Sequence, residues 1–166
     1  MSRFQLFAAL LLLLPSAPAA QQPRSYTAVV THVSDGDTVW VRPARGGARV
    51  PVRLLDIDAP EICQRSGQQS RDALARQVLR RKVTIEERGR DDYGRVLARL
   101  HRSGQDVGQL LVAEGHAWSY RFRNQPGPYH AQEKQARQAR RGLWAAAHPP
   151  EPRSFRRLHG PCDDKR

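Results

Sequence analysis

Several features that would direct this sequence to other classes of protein are missing. The 6 histidines occur without HxH or HExxH spacing, which argues against a histidine-bound zinc site. There is no internal repeat, and strand-like and helix-like segments do not alternate, so a doubly wound α/β sheet is not supported. The one strongly apolar segment, Phe4–Leu14, is shorter than the roughly 20 residues of a stable membrane-spanning helix. No cysteine lies directly after that segment, which argues against a lipoprotein anchor.

Acidic residues are few relative to basic ones. The chain has 28 Lys+Arg against 16 Asp+Glu, a formal net charge of +12 and a pI near 11.1. Lysine occurs only at positions 82, 134 and 165, so nearly all of the positive charge is arginine. The arginine guanidinium can form paired hydrogen bonds with phosphate. This composition favours a polyanionic partner such as nucleic acid.

The amino terminus has the layout of a secretory signal. Arg3 precedes the apolar segment, and Ala17 and Ala19 then form the A-x-A pattern of a cleavage site. We therefore predict that residues 1–20 are removed after Ala19 or Ala20, that the protein is periplasmic or secreted, and that it has no stable membrane anchor. Losing Arg3 lowers the formal charge from +12 to +11.

Only two cysteines are present, Cys63 and Cys162. An oxidising compartment favours a disulfide between them. Two free thiols or an intermolecular bridge are the alternatives. A bond between these residues would hold the carboxyl-terminal tail beside the loop that follows Glu61.

The rest of the chain predicts a small barrel. β-branched and aromatic residues indicate strands at 26–33, 39–42, 50–57, 82–87 and 96–101. A helix is predicted at 69–81, a second begins after its N-cap Asp106 and stops at Gly115, and a third covers 129–141. Five short strands with few helices favour a five-stranded OB-fold β-barrel with about three packed helices, an α+β fold whose open face commonly binds oligonucleotides.

Charged residues gather where two of these strands meet loops. Pro60 lacks an N–H and biases its neighbour toward extended geometry, so the third strand should end near it. This leaves Arg53, Asp58 and Glu61 at a strand end, where side chains are held rigidly but remain accessible. Asp37 follows a tight turn and would lie at the start of the second strand. Taken alone, each motif could be a solvated loop.

Taken together, the motifs resemble the staphylococcal nuclease (thermonuclease) family. The residues that carry the resemblance are Asp35–Thr38, Arg53–Glu61, Asp91–Arg95, Gly115–Trp118 and Arg141–Trp144. The resemblance covers residues 26–144, with a short segment 21–25 before it and a Pro-rich, basic tail 145–166 after it. It implies an OB-fold and a monomeric, Ca²⁺-dependent hydrolase of phosphodiester bonds in DNA and RNA.

The resemblance also implies a role for individual residues. Asp37 and Asp58 would give carboxylate oxygens to Ca²⁺, and Ala59 would give its main-chain carbonyl. A site with so few protein ligands should be weak, about 10⁻⁴–10⁻³ M, with water and substrate completing the coordination.

The remaining implied roles concern the substrate and its reaction. Glu61 would orient or deprotonate the attacking water, and Arg53 and Arg95 would bind the phosphate and stabilise its transition state. Tyr93 would lie beside the phosphate and Tyr120 would flank the base.

Two departures from the family pattern concern substrate binding. Asp92 stands where the type member has a basic residue, and the loop after Glu61 lacks that member's lysines. The alternative functions are a non-catalytic OB-fold binding module and a structural envelope protein. A pure binding module has no use for Asp37, Asp58 and Glu61 facing a phosphate, so the acids favour the enzyme.

Overall fold

Five strands close into a mixed β-barrel in the computed structural model, which describes residues 24–123, 125–160 and 162. The strands are β1 Arg24–Val33, β2 Thr38–Pro43, β3 Val50–Leu54, β4 Ile57–Asp58, β5 Lys82–Arg90, β6 Val96–Arg102, β7 Gln105–Asp106 and β8 Trp118–Ser119. Antiparallel pairs run in the order β3-β2-β1-β5-β6, and a parallel pairing of β3 with β6 closes the barrel. The predicted OB-fold barrel is confirmed. The predicted signal, residues 1–20, lies outside the described residues.

Four α-helices surround the barrel in the described part of the chain, rather than about three. They are α1 Gly67–Val78, α2 Val107–Ala113, α3 His130–Gln138 and α4 Pro152–His159, with a 3₁₀ helix at Gly142–Ala145. The additional helix, α4, lies in the Pro-rich, basic tail, where no helix was predicted. Within residues 24–123, 125–160 and 162, none of the helices is both long and apolar enough to cross a membrane.

The barrel core follows the period-2 alternation of its strands. Alternate residues are buried on β1, β2 and β3, namely Ala28, Val30, Val39, Val41, Val52 and Leu54. The opposite faces of these strands are more exposed, as expected for a sheet with one side against the core. Leu74 of α1 and Leu111 of α2 are fully buried against the same core. Burying side chains of this size typically contributes about 1.5–3 kcal/mol each.

Two predicted boundaries were wrong because single residues adopt left-handed backbone geometry. β3 ends at Leu54 instead of continuing to residue 57, because Asp56 has φ 67° and aspartate tolerates this conformation better than most residues. Helix α1 ends at Val78 instead of 81, because Leu79 has a non-helical ψ of 129° and Arg80 then has φ 60°. The Arg80 N–H then donates to the Val30 carbonyl at 2.9 Å, which joins the end of the helix to β1.

The turn at Asp56 starts a second, short strand pair that fixes the position of Asp58. In this pair Ile57 lies opposite Ser119 and Asp58 opposite Trp118. The β8 side is held by Glu133 of α3, which is 1% exposed and accepts a 2.8 Å hydrogen bond from the Ser119 N–H.

Two arginines neutralise this buried carboxylate. Glu133 Oε1 lies 3.1 Å from Arg121 Nη2 and 2.8 Å from Arg137 Nη2. Glu133 therefore links α3 to the strand that lies against Asp58.

Glu133→Ala should lower the free energy of unfolding by about 2–3 kcal/mol, since it leaves a buried N–H without its acceptor. Glu114→Ala, which removes a half-exposed carboxylate, is the control and should change stability by less than about 0.5 kcal/mol. Urea unfolding measures both. Equal effects of the two substitutions would contradict the role assigned to Glu133.

Candidate active site

A cavity of about 490 Å³ opens at the end of the barrel, and it gathers most of the predicted site residues. It is lined by Asp35, Asp37, Arg53, Ala59, Pro60, Glu61, Tyr93, Arg95 and Arg156. Three separate sequence motifs therefore meet in one place. Asp58 lies behind the cavity wall, where it contacts two of the lining arginines, Arg53 and Arg156.

Asp37 is positioned by a turn that requires glycine. A Cβ on Gly36 would lie 2.6 Å from the Ala59 Cβ and 2.7 Å from the Ser70 Cβ, too close for any other residue. Because the turn approaches so closely, the Ala59 N–H can donate a 2.9 Å hydrogen bond to Asp37 Oδ2. The Asp37 N–H itself donates to Asp35 Oδ1 at 2.9 Å. The first and second motifs, Asp35–Thr38 and Arg53–Glu61, are thus joined through the carboxylate of Asp37.

Arg53 bridges the two aspartates. Its Nη1 lies 2.6 Å from Asp37 Oδ2 and its Nη2 lies 3.3 Å from Asp58 Oδ1. Burial disfavours the charge on this guanidinium, but the neighbouring carboxylates of Asp37 and Asp58 more than offset this and raise the pKa of Arg53. Arg53 therefore remains a cation between two buried anions.

Arg95 is oriented by its own loop. Its Nε donates to Asp91 Oδ2 at 2.7 Å, and its main-chain N–H donates to Asp91 Oδ1 at 2.9 Å. The guanidinium lies 5.4 Å from the centroid of the Tyr93 ring, which is 85% exposed. Arg95 and Tyr93 both line the cavity, and their roles beside a phosphate stay predictions.

One residue that lines the cavity, Arg156, belongs to none of the sequence motifs and was not predicted. Its Nη1 lies 2.7 Å from Glu61 Oε1 and 3.1 Å from Asp58 Oδ1, and its Nη2 lies 3.2 Å from Asp58 Oδ2. Arg156 belongs to α4 in the tail. The available signal was the disulfide: Cys63 and Cys162 are bonded, which confirms the predicted pairing and holds the tail beside the loop after Glu61.

Tyr120 lies in a neighbouring cavity and not in the one that contains Tyr93. This second cavity, about 480 Å³, is lined by Asp58, Trp118, Ser119, Tyr120, Arg121, Arg123, Glu151, Pro152 and Arg153. Asp58 lines this second cavity and also contacts two arginines that line the first, Arg53 and Arg156. The two cavities therefore adjoin. The predicted position of Tyr120 against a base stays a prediction.

The acidic residues have the chemistry of a hard-cation site. Burial raises the pKa of Asp58, and burial together with the charge of Asp37 raises the pKa of Asp35 to about 7. In both cases burial is the larger cause, because it disfavours the charged carboxylate. Among the residues that the structure describes, no three acidic, histidine or cysteine side chains converge into a complete metal cage. Carboxylate and main-chain oxygens suit a hard, oxygen-preferring cation rather than a metal that prefers nitrogen or sulfur.

Asp35 makes stability depend on pH. Its folded pKa of about 7 lies above the ordinary value of 3.8, so the folded state retains a proton that the unfolded state has lost. Stability should therefore fall as pH rises through this interval.

Asp35→Asn cannot ionise and keeps an oxygen to accept from the Asp37 N–H. Both proteins are compared in chelator. The free energy of unfolding of the variant minus that of the wild type should increase by about 1 kcal/mol or more from about pH 4 to about pH 8. Urea unfolding at both pH values measures this gain. The same difference between variant and wild type at both pH values would contradict the assignment.

Comparison with known proteins identifies the family. A Haemophilus influenzae protein named "Uncharacterized endonuclease" is 34% identical over 147 residues, covering 89% of this chain and 82% of its own length. The Escherichia coli "Protein ParB" is 37% identical over 161 residues, covering 90% and 88% of the two chains. The "Micrococcal nuclease" of Shigella flexneri is 37% identical over 161 residues, covering 90% of each. The family profile described as "Staphylococcal nuclease homologue" matches residues 51–146. The chain therefore belongs to the staphylococcal nuclease family.

Proposed function

We propose that this protein is an exported, calcium-dependent nuclease that hydrolyses phosphodiester bonds in DNA and RNA. The names of its relatives, endonuclease and micrococcal nuclease, support the nuclease activity. The observation that carries the mechanism is the single cavity shared by Asp37, Arg53, Glu61 and Arg95. The formal charge of +12 suits a polyanionic substrate. Export is supported by the signal-like residues 1–20 and by the disulfide.

Three residues would hold the metal. Asp37 and Asp58 would supply carboxylate oxygens and Ala59 its main-chain carbonyl, as in the family pattern. When bound, Ca²⁺ would polarise the phosphate and help to neutralise the charge that develops on it. Because few protein ligands are available, the affinity should be about 10⁻⁴–10⁻³ M.

The protein's own side chains account for the remaining chemistry. Glu61, whose side chain is 21% exposed, accepts a proton from water as the water oxygen bonds to phosphorus and the P–O ester bond breaks. The departing ester oxygen takes up a proton from solvent and leaves as a hydroxyl group. Arg53 and Arg95 donate hydrogen bonds to the phosphoryl oxygens, which gain charge in the five-coordinate transition state. Asp91 orients Arg95, and Asp37 and Asp58 orient Arg53, so the donors are held in place before substrate arrives.

Arg53→Lys and Arg95→Lys test this mechanism. Each keeps the positive charge but loses the two-pronged guanidinium, so kcat should fall by about 10²-fold or more. Binding of a non-cleavable oligonucleotide should weaken far less, because the total charge is unchanged. Single-turnover cleavage and fluorescence anisotropy, at one salt concentration, provide the two measurements.

Arg99→Lys is the matched control, since Arg99 is paired with Asp56 at 2.7 Å and does not line the cavity. It should leave kcat almost unchanged. If rate and affinity fall in the same proportion in the Arg53 and Arg95 variants, these arginines only bind nucleic acid.

The choice of metal gives a second test. Ca²⁺ should support cleavage and Mg²⁺ should support it poorly, because Mg²⁺ demands near-ideal octahedral geometry and releases water reluctantly. Cleavage of a fluorogenic DNA substrate is measured in each ion at matched ionic strength, with a chelator as the blank. Equal turnover in both ions would refute the calcium assignment, and cleavage unaffected by chelator would refute any metal requirement.

The second candidate function is a non-catalytic OB-fold module that binds nucleic acid through charge. The observation in its favour is that the guanidiniums of Arg53 and Arg156 contact the acids of the cavity directly. The same fluorogenic assay separates the two functions, since a binding module cleaves nothing in any ion.

A further inference from the structure

The tail contributes a third arginine to the cavity. Arg156 lines it together with Arg53 and Arg95, and its side chain is 35% exposed. Arg156 lies in the tail 145–166, beyond the residues 26–144 that the family resemblance covers. The roles implied by the resemblance therefore do not include this residue.

The helix that carries Arg156 is anchored near both of its ends. Just before the helix, the Gln64 side-chain amide donates a 2.6 Å hydrogen bond to the Pro150 carbonyl. Pro152, the first residue of the helix, is buried. Beyond the helix, Cys162 is bonded to Cys63. Both anchors belong to the loop after Glu61. Because α4 is held in this way, Arg156 can change its side-chain conformation but stays within reach of the cavity.

The partners of Arg156 are the groups that a bound cation would need. Its guanidinium contacts both oxygens of Asp58 and one oxygen of Glu61. A divalent cation on Asp58 would repel this guanidinium and compete for the same oxygens. Arg156 must then lose much of its interaction with these anions while remaining at the cavity wall. An arginine that stays at the cavity wall is then available to a new anionic partner in the cavity.

The charges in contact here identify that partner. Three carboxylates, those of Asp37, Asp58 and Glu61, touch two guanidiniums, those of Arg53 and Arg156, which leaves one negative charge. Adding a divalent cation changes this to one positive charge. A phosphodiester group carries one negative charge and therefore balances the sum. The flat, forked guanidinium also matches the geometry of phosphate oxygens.

We propose that Arg156 is a third phosphate-binding residue of the substrate site, supplied by the disulfide-anchored helix α4. Without substrate it rests on Asp58 and Glu61. When the cation and a nucleic acid strand occupy the cavity, Arg156 transfers its hydrogen bonds to a phosphate of that strand. This inference rests on the proposed function, because it takes the cation and the strand from it.

Full-length Arg156→Ala and Arg156→Lys test the proposal against Arg157→Ala and Arg157→Lys. Arg157 is exposed on the same helix, and its guanidinium contacts Ser154. Binding of a short single-stranded oligonucleotide in Ca²⁺ is followed by stopped-flow anisotropy, which records binding before cleavage. Arg156→Ala should weaken binding about tenfold or more, as expected for a charged hydrogen bond. Arg156→Lys should lose a smaller factor, and both Arg157 variants should stay within about twofold.

A second readout uses the metal without nucleic acid. Trp118 lies opposite Asp58 in the strand pair, so tryptophan fluorescence can follow a Ca²⁺ titration. Arg156→Ala should bind Ca²⁺ more tightly than the wild type, because a competing cation has been removed, whereas Arg157→Ala should not. Thermal unfolding in chelator verifies that each variant is folded, and the lysine variants provide the comparison if an alanine variant is not.

Two results would overturn the proposal. If Arg156→Ala binds the oligonucleotide as well as Arg157→Ala does, Arg156 makes no phosphate contact. If Arg156→Ala also binds Ca²⁺ more tightly than the wild type and cleaves faster at limiting Ca²⁺, Arg156 only blocks the cation site. A wild-type protein that binds the strand in Ca²⁺ but never cleaves it would refute the proposed function. The affinity comparison would still decide whether Arg156 contacts phosphate.

Discussion

The burial of several carboxylates close together at one end of the barrel is the constraint on which the rest of the site depends. Asp37 and Asp58 are each 6% exposed, and Asp35 retains a proton up to a pKa of about 7 because of burial and the charge of Asp37. Such groups remain ionised only where cations compensate them. Arg53 provides part of that compensation and Arg156 provides more. The negative charge that these arginines compensate is therefore the same charge that the proposed cation would bind.

The backbone makes this crowding possible at a few defined points. Gly36 allows the first turn to approach Ala59 and Ser70, and Asp56 reverses the chain so that Asp58 leaves the barrel sheet for a separate strand pair. Glu133, buried behind that pair, holds its outer strand. None of these three residues lines the main cavity, and yet each determines where a carboxylate in or behind it lies.

The sequence was sufficient to predict the barrel and most of the cavity. Period-2 alternation indicated the five barrel strands, and the short range between Arg53 and Glu61 placed three charges at a strand end. Other features depend on contacts between distant segments and leave no local pattern. The left-handed Asp56 is not readable from its neighbours, and Tyr120 lies in an adjoining cavity because β8 pairs with β4. Arg156 is one of several arginines in a basic tail, and only the disulfide indicated that this segment lies near Glu61.

The disulfide also divides the site in an unexpected way along the chain. Cys63 and Cys162 are 99 positions apart, so the bond makes a covalent ring of the segment between them. Asp37, Asp58 and Glu61 precede the ring, whereas Arg95 and Arg156 belong to it. A protease that cuts once within the ring, for example in the exposed turn at Asp92–Tyr93, opens the ring without releasing a fragment. The acids and the arginines would remain parts of one covalent molecule after such a cut.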